Sequence, residues 1–146
     1  MRIGGVCAVA LGLAALASCG GGDADSEPCT SSSFGITTSW TVSGGAYNPQ
    51  PYLDQIVVGR VGVPLSAKPV HTGIPAGCIG KGVYSLGNAS FPLPPGLALN
   101  ASTGEISGTA TAAGDVSGGG TDTGIVRLAF PGFQSTRVLA RLLVQQ

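Results

Sequence analysis

Few side chains in this sequence can do chemistry, and their surroundings decide what each can be. The one histidine, His71, sits in the proline- and glycine-rich run "PVHTGIPAG". A Ser-His-Asp hydrolase would need it beside a presented serine, and no G-x-S-x-G elbow occurs in the chain. His71 therefore reads as a loop histidine without a catalytic role. Asp115 and Asp122 flank Gly118, Gly119 and Gly120. Calcium takes carboxylate oxygens, but from several converging side chains, and this segment holds no Asp-x-Asp or Asn-Asp pair. It reads as a solvated loop, and no metal or cofactor is expected. Glu105 is an isolated acid without an evident second carboxylate at the separation a glycosidase pair requires. It reads as an exposed strand residue. Trp40, Tyr47, Tyr52 and Phe133 are the aromatic candidates for a binding face. With so few aromatics, core or strand-edge packing is the simpler reading. Asn88-Ala89-Ser90 and Asn100-Ala101-Ser102 match glycosylation sequons but read as coincidental.

The composition bounds the rest. One hundred and forty-six residues make one domain, or one domain with a tether. Only 10% of the chain is charged, while glycine is used 25 times, a balance that suits an extracytoplasmic β protein. Lys+Arg 7 equals Asp+Glu 7, so nothing in the charge attracts nucleic acid.

The N-terminus reads as an address. Arg2 precedes an uncharged apolar run, residues 3–17, which is shorter than the roughly 20 residues needed to span a bilayer. Ala15-Leu16-Ala17 fits an ordinary A-x-A cleavage site. Leu16-Ala17-Ser18-Cys19 resembles the lipobox of bacterial lipoproteins, followed by the polar run "GGGDADS". That resemblance implies a signal over residues 1–18 and a lipid on Cys19, the first residue of the mature chain. Cysteine parity favours it. Cleavage after Ala17 would leave Cys19, Cys29 and Cys78, an odd number in an oxidising compartment. Lipidation consumes Cys19 and leaves Cys29 and Cys78 to form a disulfide, stabilising by about 4 kcal/mol through chain entropy. More than one acyl chain, at about 0.8 kcal/mol per buried methylene, gives lasting anchorage. With Arg2 removed, the mature chain holds six basic residues against seven acidic ones. Gly20 and Gly21 carry no acidic retention signal, which points to the outer membrane.

Residues 19–28 are small and acidic and form a tether. Residues 29–51 are expected to form an N-terminal β extension, and residues 52–146 the main domain. Phe34, Ile36, Thr38, Trp40 and Val42 recur with period two and predict a strand. A β-rich run at residues 56–65 is broken by Gly59 and Gly62, and Pro64 predicts an edge. Residues 71–82 read as loop and 83–86 as a short strand. Residues 110–124 read as a long exposed loop. Val126, Leu128 and Phe130 predict a strand, "PGFQST" a turn, and Val138, Ala140, Leu142 and Val144 a last strand with Arg137 and Arg141 outward. The number of short strands and turns predicts a β-sandwich.

Residues 93–109, "LPPGLALNASTGEISGT", predict a hairpin in detail. Pro94-Pro95-Gly96 suits a type II turn, with Gly96 at the positive φ. Leu97 and Leu99 then share a face. Asn100 can accept bonds from its own downstream backbone, and Gly104 can take the left-handed conformation that ends the reversal. Ile106 returns to the core, and Gly108 permits a close backbone approach or a bulge.

The same stretch resembles the signature of the immunoglobulin-like repeats of bacterial secreted and surface proteins, relatives of cadherin-like and dystroglycan-type domains. That pattern is Leu-Pro-x-Gly-Leu, a short apolar step, then Thr-Gly-x-Ile-Ser-Gly-Thr-Pro. This chain supplies Leu93, Pro94, Gly96, Leu97, Leu99, Thr103, Gly104, Ile106, Ser107, Gly108 and Thr109, with Ala110 in place of the proline. The likeness covers residues 56–144, strongest at the centre, and Gly118 to Gly120 interrupt it. It implies an all-β, immunoglobulin-like β-sandwich in an extracytoplasmic setting and no catalytic activity. Cadherin-like relatives often bind calcium, and Asp115 and Asp122 are the residues here that could offer it oxygen ligands. The expectation is a non-enzymatic, membrane-anchored envelope lipoprotein displaying one such domain for protein binding or structural support. The alternative is an accessory module that binds glycan or peptidoglycan. The partners expected are the membrane, through Cys19, and an envelope protein or glycan.

Overall fold

The computed structural model describes Cys29 and residues 35–49, 55–87, 92–117 and 125–146. The signal at 1–18, Cys19, the tether, Phe34, Tyr52, Asn88, Gly118 to Gly120 and Asp122 lie outside these residues. Along the described chain run β1 (Thr37–Ser43), β2 (Ala46–Pro49), β3 (Gln55–Arg60), β4 (Pro64–Thr72) and β5 (Val83–Leu86). They are followed by β6 (Leu97–Leu99), β7 (Ile106–Thr109), β8 (Gly114–Ser117), β9 (Val126–Phe130), β10 (Phe133–Leu139) and β11 (Arg141–Gln145). One short 3₁₀ turn, Ala76–Cys78, is the only helical element among the described residues.

The strands form three sheets, in the orders β1-β4-β7-β6, β2-β3-β11-β8 and β10-β9-β5. Every pairing is antiparallel except that of β3 with β11, which is parallel. Period-two alternation sends one face of each strand inward. Trp40 of β1, Val57 of β3, Leu65 of β4, Ile106 of β7, Leu128 of β9 and Leu142 of β11 meet in one buried cluster. Since that cluster draws on all three sheets, they are layered around a common core, as an all-β sandwich requires. Each such side chain contributes roughly 1.5–3 kcal/mol on burial. The Trp40 indole N–H donates to the Val138 carbonyl at 2.9 Å, tying the first sheet to β10.

Four expectations change. The run at 56–65 is two strands. Val61 and Gly62 turn the chain, and Pro64 opens β4, an inner strand flanked by β1 and β7, rather than marking an edge. Proline is tolerated there because the first residue of a strand can forgo a ladder donor. The loop at 110–124 contains β8, which adds to β11 over Gly114 to Ser117. "PGFQST" turns only at Pro131-Gly132; Phe133 already belongs to β10. The last strand is two. Register shifts along β10 break the alternation, so Val138, Leu139 and Ala140 are buried consecutively. Ala140 N then donates to Gln55 O at 3.3 Å, and the chain passes from one sheet into another.

Candidate functional site

The hairpin signature is a folding device down to its atoms. Leu97 N donates to Pro94 O at 3.1 Å across the Pro95-Gly96 turn, with Gly96 at φ 92°. Asn100 Oδ1 accepts from the backbone of Ser102 at 2.9 Å and of Thr103 at 3.1 Å. Gly104, at φ 72°, donates to Asn100 O at 2.8 Å, and Asn100 N donates to Glu105 O at 2.9 Å. The pairing Leu97↔Gly108 and Leu99↔Ile106 puts the three apolar side chains on one face. Leu97 and Ile106 are buried and Leu99 half-buried. Gly108, at φ 133°, lies where a Cβ would stand 2.0 Å from Gly96 O, so its role is close backbone approach. Ala110, at the end of this stretch, is buried.

His71 is not a loop residue. Residues 65, 67, 69 and 71 of β4 face inward by alternation, and β4 aligns His71 with Thr38 of β1. Thr38 Oγ1 lies 2.9 Å from His71 Nδ1, and the Tyr84 hydroxyl of β5 lies 2.8 Å from His71 Nε2. The His71 and Tyr84 rings also stack, with centroids 5.8 Å apart and 20° between planes. Thr38 is buried, and Gln55 Nε2 donates to its carbonyl at 2.8 Å. Either tautomer is satisfied, because each hydroxyl can rotate to donate or accept. Burial holds the His71 pKa below its ordinary value and pushes the Tyr84 phenol up. With both ring nitrogens occupied by protein hydroxyls, the imidazole serves as a polar cross-link between two sheets. The alternation of Leu65, Ala67, Pro69 and His71 was the available signal, hidden by the proline at 69.

The carboxylates are likewise committed. Glu105 is half-buried rather than exposed: it accepts from Ser66 Oγ at 2.7 Å and lies 3.8 Å from Lys68 Nζ. Asp115 projects from β8 toward Arg141 of β11, whose Nε donates to Oδ1 at 2.7 Å while Nη2 bonds Oδ2. The hydrogen bond from Arg141 lowers the Asp115 pKa more than burial raises it, and the guanidinium charge, the smallest of the three effects, lowers it further. Asp115 is therefore paired within the fold, and Asp122 lies outside the described residues. No group of three metal-ligating side chains occurs among the described residues.

Of the aromatic candidates, Trp40 is buried and Tyr47 is half-buried against the core. Burial raises the Tyr47 phenol. Tyr52 and the Phe133 side chain lie outside the described residues. The expected bridge between Cys29 and Cys78 is present, with Cα atoms 4.6 Å apart. It fastens Cys29 to the 3₁₀ turn that follows β4, and both cysteines are buried.

No model of a known protein family, no curated protein and no solved structure matches this chain. The likeness to immunoglobulin-like repeats thus rests on residues 93–109 and on the all-β architecture.

Proposed function

We propose that this chain is a lipid-anchored envelope protein that displays one immunoglobulin-like sandwich for binding or structural support and catalyses no reaction. The observation that carries the reading is the Cys29–Cys78 bridge. A buried disulfide suits an oxidising compartment. It also leaves Cys19, within Leu16-Ala17-Ser18-Cys19, free of that bridge and available to a lipid. The hairpin at residues 93–109 and the layered sheets support the immunoglobulin-like assignment. The commitment of His71, Glu105 and Asp115 to internal partners supports a non-catalytic role.

In this reading ten peptide steps separate the lipid on Cys19 from the sandwich at Cys29, a reach of at most about 35 Å. The domain then stands close to the membrane and is held by its disulfide end. The test is metabolic labelling with a fatty acid, followed by fractionation of the wild type and of Cys19→Ser. Label and membrane retention in the wild type, both lost in Cys19→Ser, support the anchor. An unlabelled wild type, or unchanged fractionation of the variant, removes it.

A further inference from the structure

We infer that the end of the sandwich opposite the disulfide carries a binding cleft for a small carboxylate ligand, centred on Arg60. The strand register builds it. Val58 and Arg60 are two apart on β3 and share the face turned away from the core residues Val57 and Gly59. Ala46 of β2 pairs with Val58, and Gln145 of β11 pairs with Arg60. An apolar row and a polar row therefore lie side by side. With Gly44 and Gly45 of the β1–β2 turn they line a cleft of about 430 Å³.

Arg60 carries the one charged side chain among the residues that line this cleft. Among the described residues the two side-chain carboxylates are Glu105, held by Ser66 and Lys68, and Asp115, held by Arg141. The Arg60 guanidinium has no hydrogen-bond or ion-pair partner among the described residues. A guanidinium offers parallel donors that match a carboxylate fork, and the Gln145 amide adds a neutral donor beside it. One cation with no second positive group suits a singly charged carboxylate better than a phosphate. The Ala46–Val58 row suits a ligand with a short aliphatic part next to that carboxylate. A peptide C-terminus and an acidic sugar both present such a group.

The position deepens the binding function proposed above, and on that reading alone rests the statement that the cleft faces away from the membrane. β1 and β3 run toward the cleft, and β4 runs back from it to the disulfide end over nine residues. At about 3.3 Å each, that is roughly 30 Å.

The test is an NMR titration of the full chain in detergent, following the amides of Val58, Arg60 and Gln145. The probes are acetyl-Ala-Ala, its C-terminal amide, glucuronate, and inorganic phosphate. Selective shifts with acetyl-Ala-Ala or glucuronate, absent with the amide, support the site, and the stronger of the two identifies the source. Arg60→Gln should weaken that binding by about tenfold or more while leaving the spectrum otherwise unchanged, since a charge-assisted bond is lost. Equal shifts from the amide, stronger shifts from phosphate, no shifts up to about 20 mM, or unaltered affinity in Arg60→Gln would each overturn it. Cys19→Ser, titrated in parallel, should bind equally, so a failed anchor and a failed cleft give different results.

Discussion

Gly96 and Gly108 face one another across the β6–β7 hairpin, and their double substitution tests whether backbone proximity sets the register. A Cβ at Gly108 would stand 2.0 Å from Gly96 O, and one at Gly96 would stand 2.1 Å from Thr109 O. Both obstacles are backbone atoms, so no side chain can rotate away. Gly108 also sits at φ 133° and Gly96 at φ 92°, where an L side chain is strained by about 1–3 kcal/mol. Adding displacement of the opposite strand, Gly96→Ala and Gly108→Ala should each cost about 2–4 kcal/mol. For a chain of this size that corresponds to roughly 2–4 °C of melting temperature per kcal/mol. Once one alanine has forced the strands apart, the second meets a wider gap. The double variant should therefore cost at least about 1 kcal/mol less than the sum of the singles. The assay is urea unfolding under oxidising conditions, so that the Cys29–Cys78 bridge stays closed throughout. Additivity within about 0.5 kcal/mol would show that the glycines act independently, and single costs below about 0.5 kcal/mol would refute the close approach itself.

Three further outcomes follow from the packing. Burial lowers the His71 pKa in the fold below its unfolded value, so its contribution is complete above the unfolded value of about 6.5 and is lost as the pH falls from there through the folded value. Wild type should lose more stability between pH 7.5 and pH 5 than His71→Asn does; equal losses would place the acid sensitivity elsewhere. Replacing Cys29 and Cys78 together with alanine should lower the unfolding free energy by about 4 kcal/mol, measured by thermal or urea denaturation, and a change below about 1 kcal/mol would contradict a role in closing the chain. The Asp115–Arg141 pair is partly exposed, with side chains 47% and 36% accessible, so Arg141→Gln should cost no more than about 1 kcal/mol, shrinking further in 1 M salt. A larger, salt-independent loss would show that Arg141 supports β8 through packing instead.

Much of this protein is local and was legible as such. The strand at Trp40, the alternation of Val126, Leu128 and Phe130, and every turn of residues 93–109 follow from φ restriction and a period of two, which neighbours along the chain impose on one another. The disulfide followed from counting cysteines. Ser117 and Asp115 gave no such sign, because β8 has little apolar pattern of its own and becomes a strand only by bonding to β11. Nor did the break at Ala140 show, since a bulge shifts alternation without changing composition.

What the amino-acid order determined alone was the strand-rich character, the hairpin's register and the cysteine pair, all products of short-range sterics or simple stoichiometry. Only the tertiary structure decided which sheet each strand joined, that His71 bridges Thr38 and Tyr84, and that Arg60 lies beside Ala46, Val58 and Gln145. The widest of those juxtapositions, Thr38 with His71 and Arg60 with Gln145, join residues dozens of positions apart. They arise from the packing that lets three sheets bury a common core.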